Sequence, residues 1–575
     1  MAETLISPGV LARENDQSQV TSQPITVGAA IIGPTVKGPV EIPTIVTSYS
    51  QFQSTFGTTF LSASNVYTYF TSIAAYNYFN NGGQSLLVSR VVSASATWAP
   101  ATSTAISSSA QSLTQPAFVL ETLSEGIIMN SSGSEDASGA LVSGSVDNIR
   151  WQIVNSNTSS GTFDLLIRQG NDNTNNQIVL ETWTNLSLDP TVANFVAAVI
   201  GDSVQNYNST LNQITVSGSY PNQSRYVRVK SVNNLTPFYF DNNGIAKSQY
   251  TASIPLAASG SFTLATGDPV AAAGNKYYNE IIAGVTNVQG LVAGDYTNMV
   301  ALLANQDDYR FNVMLTPGLI DSGAFATTVT SIISNTQNRG DSIYVVDQNP
   351  YNSTVGNAVT AAATRNTSYA ATYWPWLMTV DPDSGQRVWV PASTMIGGVY
   401  AFNDSVAEPW FAPAGINRGG LATVIRAEQK LPQSSRDSLY SGNVNPIATF
   451  PGTGVVVYGQ KTLQKQASAL DRVNVRRLLI SLKSYISQVA NNLVFEQNTI
   501  ATRNQFLSQV NPYLESVQQR QGLYAFKVIM DDSNNTADVI DRNQLVGQIY
   551  IQPTKTAEFI YLDFNILPTG ATFPA

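Results

Sequence analysis

The chain has 575 residues, 43% hydrophobic and 12% charged, with a formal net charge of -9 and neither cysteine nor histidine. The length exceeds what one core can serve and suggests roughly three to four domains. Missing cysteine excludes disulfides and thiolate chemistry, missing histidine removes the usual general base and any histidine-based pH trigger, and the acidic balance argues against broad nucleic-acid binding.

Charged content at about half the globular norm leaves a surface of Ser, Thr, Asn, Gln and Gly. Few ions then lose their water when that surface is covered, which suits a protein that tiles against copies of itself. The N-terminus carries neither a basic nor an apolar signal segment, and no apolar run reaches bilayer length. A soluble cytoplasmic product without membrane insertion is the expectation.

Residues 1–20 lack periodicity, carry Pro8-Gly9 and read as an extended arm. Ile25–Ile32 is a buried strand candidate, Ser48–Phe56 a short helix stopped by Gly57, and Asn65–Asn80 a helix with Val66, Tyr69, Phe70, Ile73 and Tyr76 on one face. Leu86–Val92 returns as a strand. From about Ser93 to Thr286 helical periodicity nearly vanishes, apart from Thr191–Ile200, and short alternating runs predict an inserted β-rich domain, a sandwich or barrel.

Strands Phe311–Leu315, Ser342–Asp347 and Ala371–Val380 then alternate with helices Ala324–Gln337 and Val355–Arg365, which implies a largely parallel sheet. Val455–Tyr458 is a short strand. A helix follows with Val475, Leu478, Leu479, Leu482, Tyr485, Ile486, Val489 and Leu493 at a helical period, and a second runs from Thr499 to Gln519 with a break or kink expected at Asn511-Pro512. Leu523–Met530, Gln544–Gln552 and Thr556–Leu567 read as extended segments.

The expected class is therefore an α+β and α/β multidomain chain. Its parts are a linker arm at 1–20, a central α/β domain at 21–92 plus 287–400, an outward-facing insert at 93–286, and an assembly domain at 401–575 with a linker strand at 556–567.

Motifs for chemistry fail on inspection. Gly454 to Lys461 has P-loop glycine spacing, but Gln460 stands between Gly459 and the lysine, and the intervening residues are strand-like. Asp381-Pro382-Asp383-Ser384-Gly385 lacks the late glutamate of a calcium loop and reads as a turn. Asp531, Asp532, Asp538 and Asp541 read as turn and cap residues. No catalytic residue, cofactor or metal site is expected. Arg472, Arg476, Arg477 and Lys483 form a basic cluster; Arg472, Arg476 and Lys483 share one helix face by spacing, with Arg477 beside it.

Ordered fragments carry a resemblance. Asp471-Arg472-Val473-Asn474-Val475-Arg476-Arg477-Leu478, Phe495-Glu496-Gln497-Asn498, Asn534-Asn535-Thr536, Val539 to Leu545, Ile551-Gln552-Pro553 and Ala557-Glu558-Phe559-Ile560 follow at close spacing. Upstream stand Ser7-Pro8-Gly9-Val10, Gly33-Pro34, Gly38-Pro39, Asn81-Gly82-Gly83, Tyr373-Trp374-Pro375-Trp376 and Trp410 to Gly415 with Arg418-Gly419. The series resembles contractile tail sheath proteins of long-tailed bacteriophages, with Ala401-Phe402-Asn403-Asp404 departing from the family's Ala-Arg-x-Asp run.

The resemblance implies a central domain of subtilisin-like architecture, which without histidine can hold no Ser-His-Asp site. It also implies a non-enzymatic subunit of a virion tail, assembled in the host cytoplasm as hexameric rings stacked helically around a tail tube. Contraction would drive the tube through the host envelope for genome ejection. Partners would be the tube protein, baseplate and tail terminator, with no nucleic acid. Arg472, Arg476, Arg477 and Lys483 would touch an acidic tube. Arms around Leu5, Ile6, Ser7, Pro8, Gly9 and Val10, and around Phe559, Ile560, Tyr561, Leu562 and Phe564, would complete sheets on neighbouring copies. The sheath of a bacteriocin or injection apparatus is a second reading. A cell-surface hydrolase using two carboxylates is a third, and it lacks a two-acid cleft and a secretion signal.

Overall fold

Apolar runs without alternation belong to strands covered on both faces, and Leu86–Arg90, Ile343–Asp347 and Ala370–Trp374 are buried at all positions. A computed structural model describes residues 26–62, 64–110, 116–270, 277–278 and 288–561. Its central sheet contains β1 (Thr26–Gly33), β2 (Thr44–Val46), β3 (Leu86–Arg90), β4 (Arg310–Ile320), β5 (Ile343–Asp347), β6 (Ala370–Trp374), β7 (Asn445–Phe450) and β8 (Gly454–Val457). The order is β2-β3-β1-β4-β5-β6-β7-β8. All inner neighbours pair parallel; β2 and β8 close the two edges antiparallel.

Helix α1 (Tyr49–Phe56) begins at Ser48, whose side chain accepts from Gln51 N–H, and stops at Gly57, φ 65°. Helix α2 (Phe70–Asn80) is shorter than its sequence pattern. Asn65–Thr68 pairs antiparallel with Thr59–Ser62, setting Tyr67 opposite Phe60. Val66 and Tyr67 favour extended backbone, and a partner strand five residues upstream takes them out of the helix. Ala371–Val380 also divides. Its second part, Leu377–Val380, leaves β6 for a separate three-stranded sheet with Arg387–Val390 and Val424–Ala427.

The described part of the insert is built on a seven-stranded antiparallel sheet in the order Val179–Ser187, Thr162–Gln169, Ile149–Asn157, Ala258–Thr263, Pro100–Ser103, Phe118–Glu125, Val227–Val232, beside a separate hairpin of Val204–Asn208 and Gln213–Ser217. The short helix Val196–Ile200, five residues where ten were expected, packs against both end strands, so the sheet curls around its core of Trp151, Phe118, Phe163 and Phe262. Arg90 fastens the insert to the central sheet. Fully buried, it donates to the carbonyls of Gly38 (2.5 Å) and Glu125 (2.9 Å) and lies 4.8 Å from the Trp98 ring.

The central sheet does not end at residue 400. β7 and β8, placed by sequence in the assembly unit, extend this sheet, β7 pairing with β6 and β8 with β7, and share the central core through Ile447, Val455 and Val457. Helices α3 (Ala326–Arg339), α4 (Ser393–Val406) and α5 (Gln433–Ser441) belong to this domain. A third core holds Trp410, Leu482, Val489, Phe506, Val510, Leu514 and Leu523, between α6 (Val473–Asn491), α7 (Ile500–Gln519) and the hairpin β9 (Leu523–Ile529) with β10 (Gln548–Pro553). Helix α7 runs through Pro512 without interruption, because a proline removes one backbone donor and leaves the rest of the ladder in place. Of the third extended segment, residues 556–561 form no strand and the remainder lies outside the described residues. Among the described residues no helix is long and apolar enough to cross a membrane.

Candidate functional site

In an open α/β sheet a ligand crevice lies where strand order reverses, outside the carboxyl ends of the strands. Here the reversal is at β1, flanked by β3 and β4, and the crevice is filled. Gln289, buried, accepts from Phe70 N–H at the start of α2 (2.9 Å) and donates to the Pro317 carbonyl (3.1 Å). It thereby caps a helix whose own Tyr69 supplies no side-chain cap. Gly318, φ 87°, lies so close that a Cβ there would meet Phe70 Cδ2 at 2.7 Å.

Beside it, Asp347 at the end of β5 accepts from Ser393 N–H (3.1 Å), Ser393 Oγ and Gly318 N–H (3.3 Å). Burial pushes its carboxyl up to about 6 against those three donors. Ser393 gives its hydroxyl proton to this carboxylate, and both residues are buried. The pair ties α4 to the sheet and offers no open face to a substrate. Sequence reading missed Gln289 and this pair, because the partners are far apart along the chain and neither forms a local motif.

The basic cluster does not form one outward face. Arg476 and Arg477 are 4% and 3% exposed, against the expectation that both meet a tube. Arg476 lies 4.0 Å from the Tyr369 ring and donates to Ser368 Oγ. Arg477 lies 4.7 Å from the Tyr400 ring and pairs with Asp404. Helix α6 packs between two cores, Val473 and Ile480 in the central one and Leu478 and Leu482 in the terminal one. The arginines therefore turn inward, onto the tyrosines of the central domain. Lys483 is exposed, and its Nζ stands 3.5 Å from Tyr369 Oη. Arg472 is partly buried between Asp471 (3.0 Å) and Glu558 (2.8 Å).

Leu5, Ile6, Ser7, Pro8, Gly9, Val10, Leu562 and Phe564 lie outside the described residues. Phe559, Ile560 and Tyr561 are 68%, 75% and 92% exposed in an irregular segment. The turn at Asp381–Gly385 is a brace rather than an ion loop. Asp381 accepts from Thr68 Oγ1 and Ser384, and Asp383 accepts from Tyr49 and from Gln53 Nε2 (2.8 Å). Asp531 folds back on Ser533 N–H (2.9 Å), Asp532 pairs with Arg503 (2.5 Å) and Asp538 with Arg542 (2.9 Å). Among the described residues no three metal-ligating side chains come together.

The comparisons agree with this division of the chain. Residues 289–463 match the phage tail sheath protein central domain, and residues 465–567 match the phage tail sheath C-terminal domain. The tail sheath protein of Vibrio phage KVP40 is 41% identical over 220 residues, 38% of this chain and 33% of its own length. That of Enterobacteria phage T4 is 40% identical over 185 residues, 32% of this chain and 28% of its own. The matched part thus spans about a third of the length of these relatives. The sheath tail protein of Listeria innocua shares the fold with a TM-score of 0.52 at 10% identity, over 92% of this chain and 95% of that one. Residues 289–463 and 465–567 thus match two consecutive domains of phage tail sheath proteins, and this similarity is the family relationship the chain displays.

Proposed function

We propose that the protein is a structural, non-enzymatic subunit of a phage contractile tail sheath. The observation that carries this reading is the pair of sheath domains in order, one on the central sheet and one on the helix pair with its terminal hairpin. Copies would stack as hexameric rings around a tail tube, join a baseplate and terminator, and shorten to drive the tube through the host envelope. Shortening needs two lattice packings of one rigid subunit that differ by on the order of a few kcal/mol per copy, summed cooperatively. The central domain would serve as a subtilisin-like scaffold without chemistry, and the insert at 93–286 would face outward.

The arms at 4–16 and 556–567 would join neighbouring copies by adding strands to the β9–β10 hairpin. A two-stranded sheet is marginal alone and leaves both outer edges unpaired, which favours this site for strand addition. Of the basic residues, Lys483 is the one suited to a tube contact, since it alone is exposed on α6. Negative-stain microscopy of the expressed chain with its tail tube tests the reading. Hollow cylinders of uniform diameter are expected, lost when residues 1–20 and 556–575 are removed. Particles without helical order from the intact chain would overturn it.

A further inference from the structure

Beyond β10 the described residues leave the terminal module. Thr554 is the last of the described residues held there, through its N–H and Oγ1 to the carbonyls of Gly522 (3.2 Å) and Gln521 (2.7 Å). Four residues later Glu558 reaches the central domain, where two donors of that domain and a third at the start of α6, from three separate stretches, meet its carboxylate. Arg472 Nε, at the start of α6, and Gln460 Nε2, after β8, donate to Oε1 at 2.8 and 3.1 Å. Tyr440 Oη of α5 donates to Oε2 at 2.6 Å. Gln460 Nε2 also donates to Thr556 Oγ1 (2.7 Å). The seat is itself braced, since Lys461 Nζ donates to the Tyr440 carbonyl (2.8 Å) and lies 4.4 Å from its ring.

A carboxylate held by three donors, one of them a guanidinium, is a strong attachment. The residues around it supply none of comparable strength: Lys555 and Ala557 are exposed, and so are Phe559, Ile560 and Tyr561 immediately after. We propose that Thr554–Glu558 is a strap joining the terminal hairpin to the central domain, with Glu558 as its single buckle. The C-terminal tail then departs from the α5–β8 side of the central sheet, and its root moves with that domain rather than with β10. This holds within one chain and does not rest on the sheath reading.

Trypsin cleavage after Lys555 reports the strap in the full-length chain. Cleavage follows the population of the open form, and losing charge-assisted bonds is expected to raise its rate about tenfold in Glu558→Gln. Tyr440→Phe, which removes one hydroxyl, should raise it by less, and near-ultraviolet circular dichroism confirms that both variants fold. Arg472→Gln combined with Glu558→Gln should be cut no faster than Glu558→Gln alone, because one contact is being removed twice. The chain has no cysteine, so Tyr561→Cys gives a unique fluorophore site, whose anisotropy should fall with Glu558→Gln and hold with Lys555→Gln. Wild-type cleavage and anisotropy in Glu558→Gln, or independent effects of the Arg472 and Glu558 changes, would overturn the strap.

Discussion

Arg477 Nη2 of α6 lies 2.5 Å from Asp404 Oδ2 near the end of α4. The guanidinium is buried, and the Asp404 carboxylate beside it holds it charged despite the loss of water. This pair joins the helix of the terminal module to the helix that covers the central sheet. It also gives Asp404, in the run where phenylalanine replaces the family's arginine, a definite partner. Asp404→Asn leaves a buried cation without its counter-charge, an arrangement that costs about 3–5 kcal/mol. Denaturant unfolding should show that loss, and Arg477→Lys should restore none of it, because a lysine cannot reproduce the planar fork.

The insert depends on a second buried charge. Asp172 receives Arg168 Nε and Nη2 at 2.7 and 2.9 Å and has Arg150 Nη1 at 3.5 Å, all three side chains being almost fully buried. Asp172→Asn leaves the buried Arg168 without its counter-charge, while Arg150 keeps Glu135, and should lower the insert's stability by about 3–5 kcal/mol. Trp151, on the strand that carries Arg150, should report this as an earlier fluorescence transition on heating. A melt unchanged from wild type would contradict the assignment.

Glu428 gives the stability a pH dependence of known sign. Burial raises its carboxyl from 4.5 to about 7, against hydrogen bonds from the backbone of Asn352 and Trp376. Between those two values the folded chain binds more protons than the unfolded one, so stability falls as pH rises through that window. The side chain is only half-buried, which limits the effect to about 1 kcal/mol. Glu428→Gln should flatten the profile of unfolding midpoint against pH from 5 to 8 and match wild type at the acid end.

Charge reversal separates the two roles in the basic cluster. Arg476→Glu places a carboxylate against the Tyr369 ring at a 4%-exposed position and should cost several kcal/mol, roughly 3 or more, because the charge loses its water there. Lys483→Glu on the exposed face should change stability by no more than about 0.5 kcal/mol. Circular dichroism distinguishes the two, and only Lys483→Glu can then report on an outside partner. If that variant coats tail tubes like wild type, Lys483 makes no tube contact.

Local patterns carried much of the secondary structure. Ser48 and Gly57 bracket α1, the continuous apolar runs became inner parallel strands, and the 3.6-residue period at Val475 to Val489 lies within α6. Failures came where a distant segment competed for the same residues. Asn65–Thr68 has helical spacing but paired with Thr59–Ser62, and β7 and β8 left the terminal unit for the central sheet. Burial of Arg476 and Arg477 had no sequence signal, since periodicity fixes which residues share a face and says nothing of what that face meets.

Order of motifs thus carried the resemblance to phage tail sheath proteins, while period gave the alternation of strands and helices and composition excluded cysteine and histidine chemistry. These properties reside in residues close along the chain. Tertiary structure alone decided that Gln289 caps α2, that Asp404 holds Arg477, and that Glu558 returns to the central domain. Each joins groups dozens to hundreds of residues apart, and a buried charge or donor is satisfied by whatever partner folding brings within hydrogen-bonding distance.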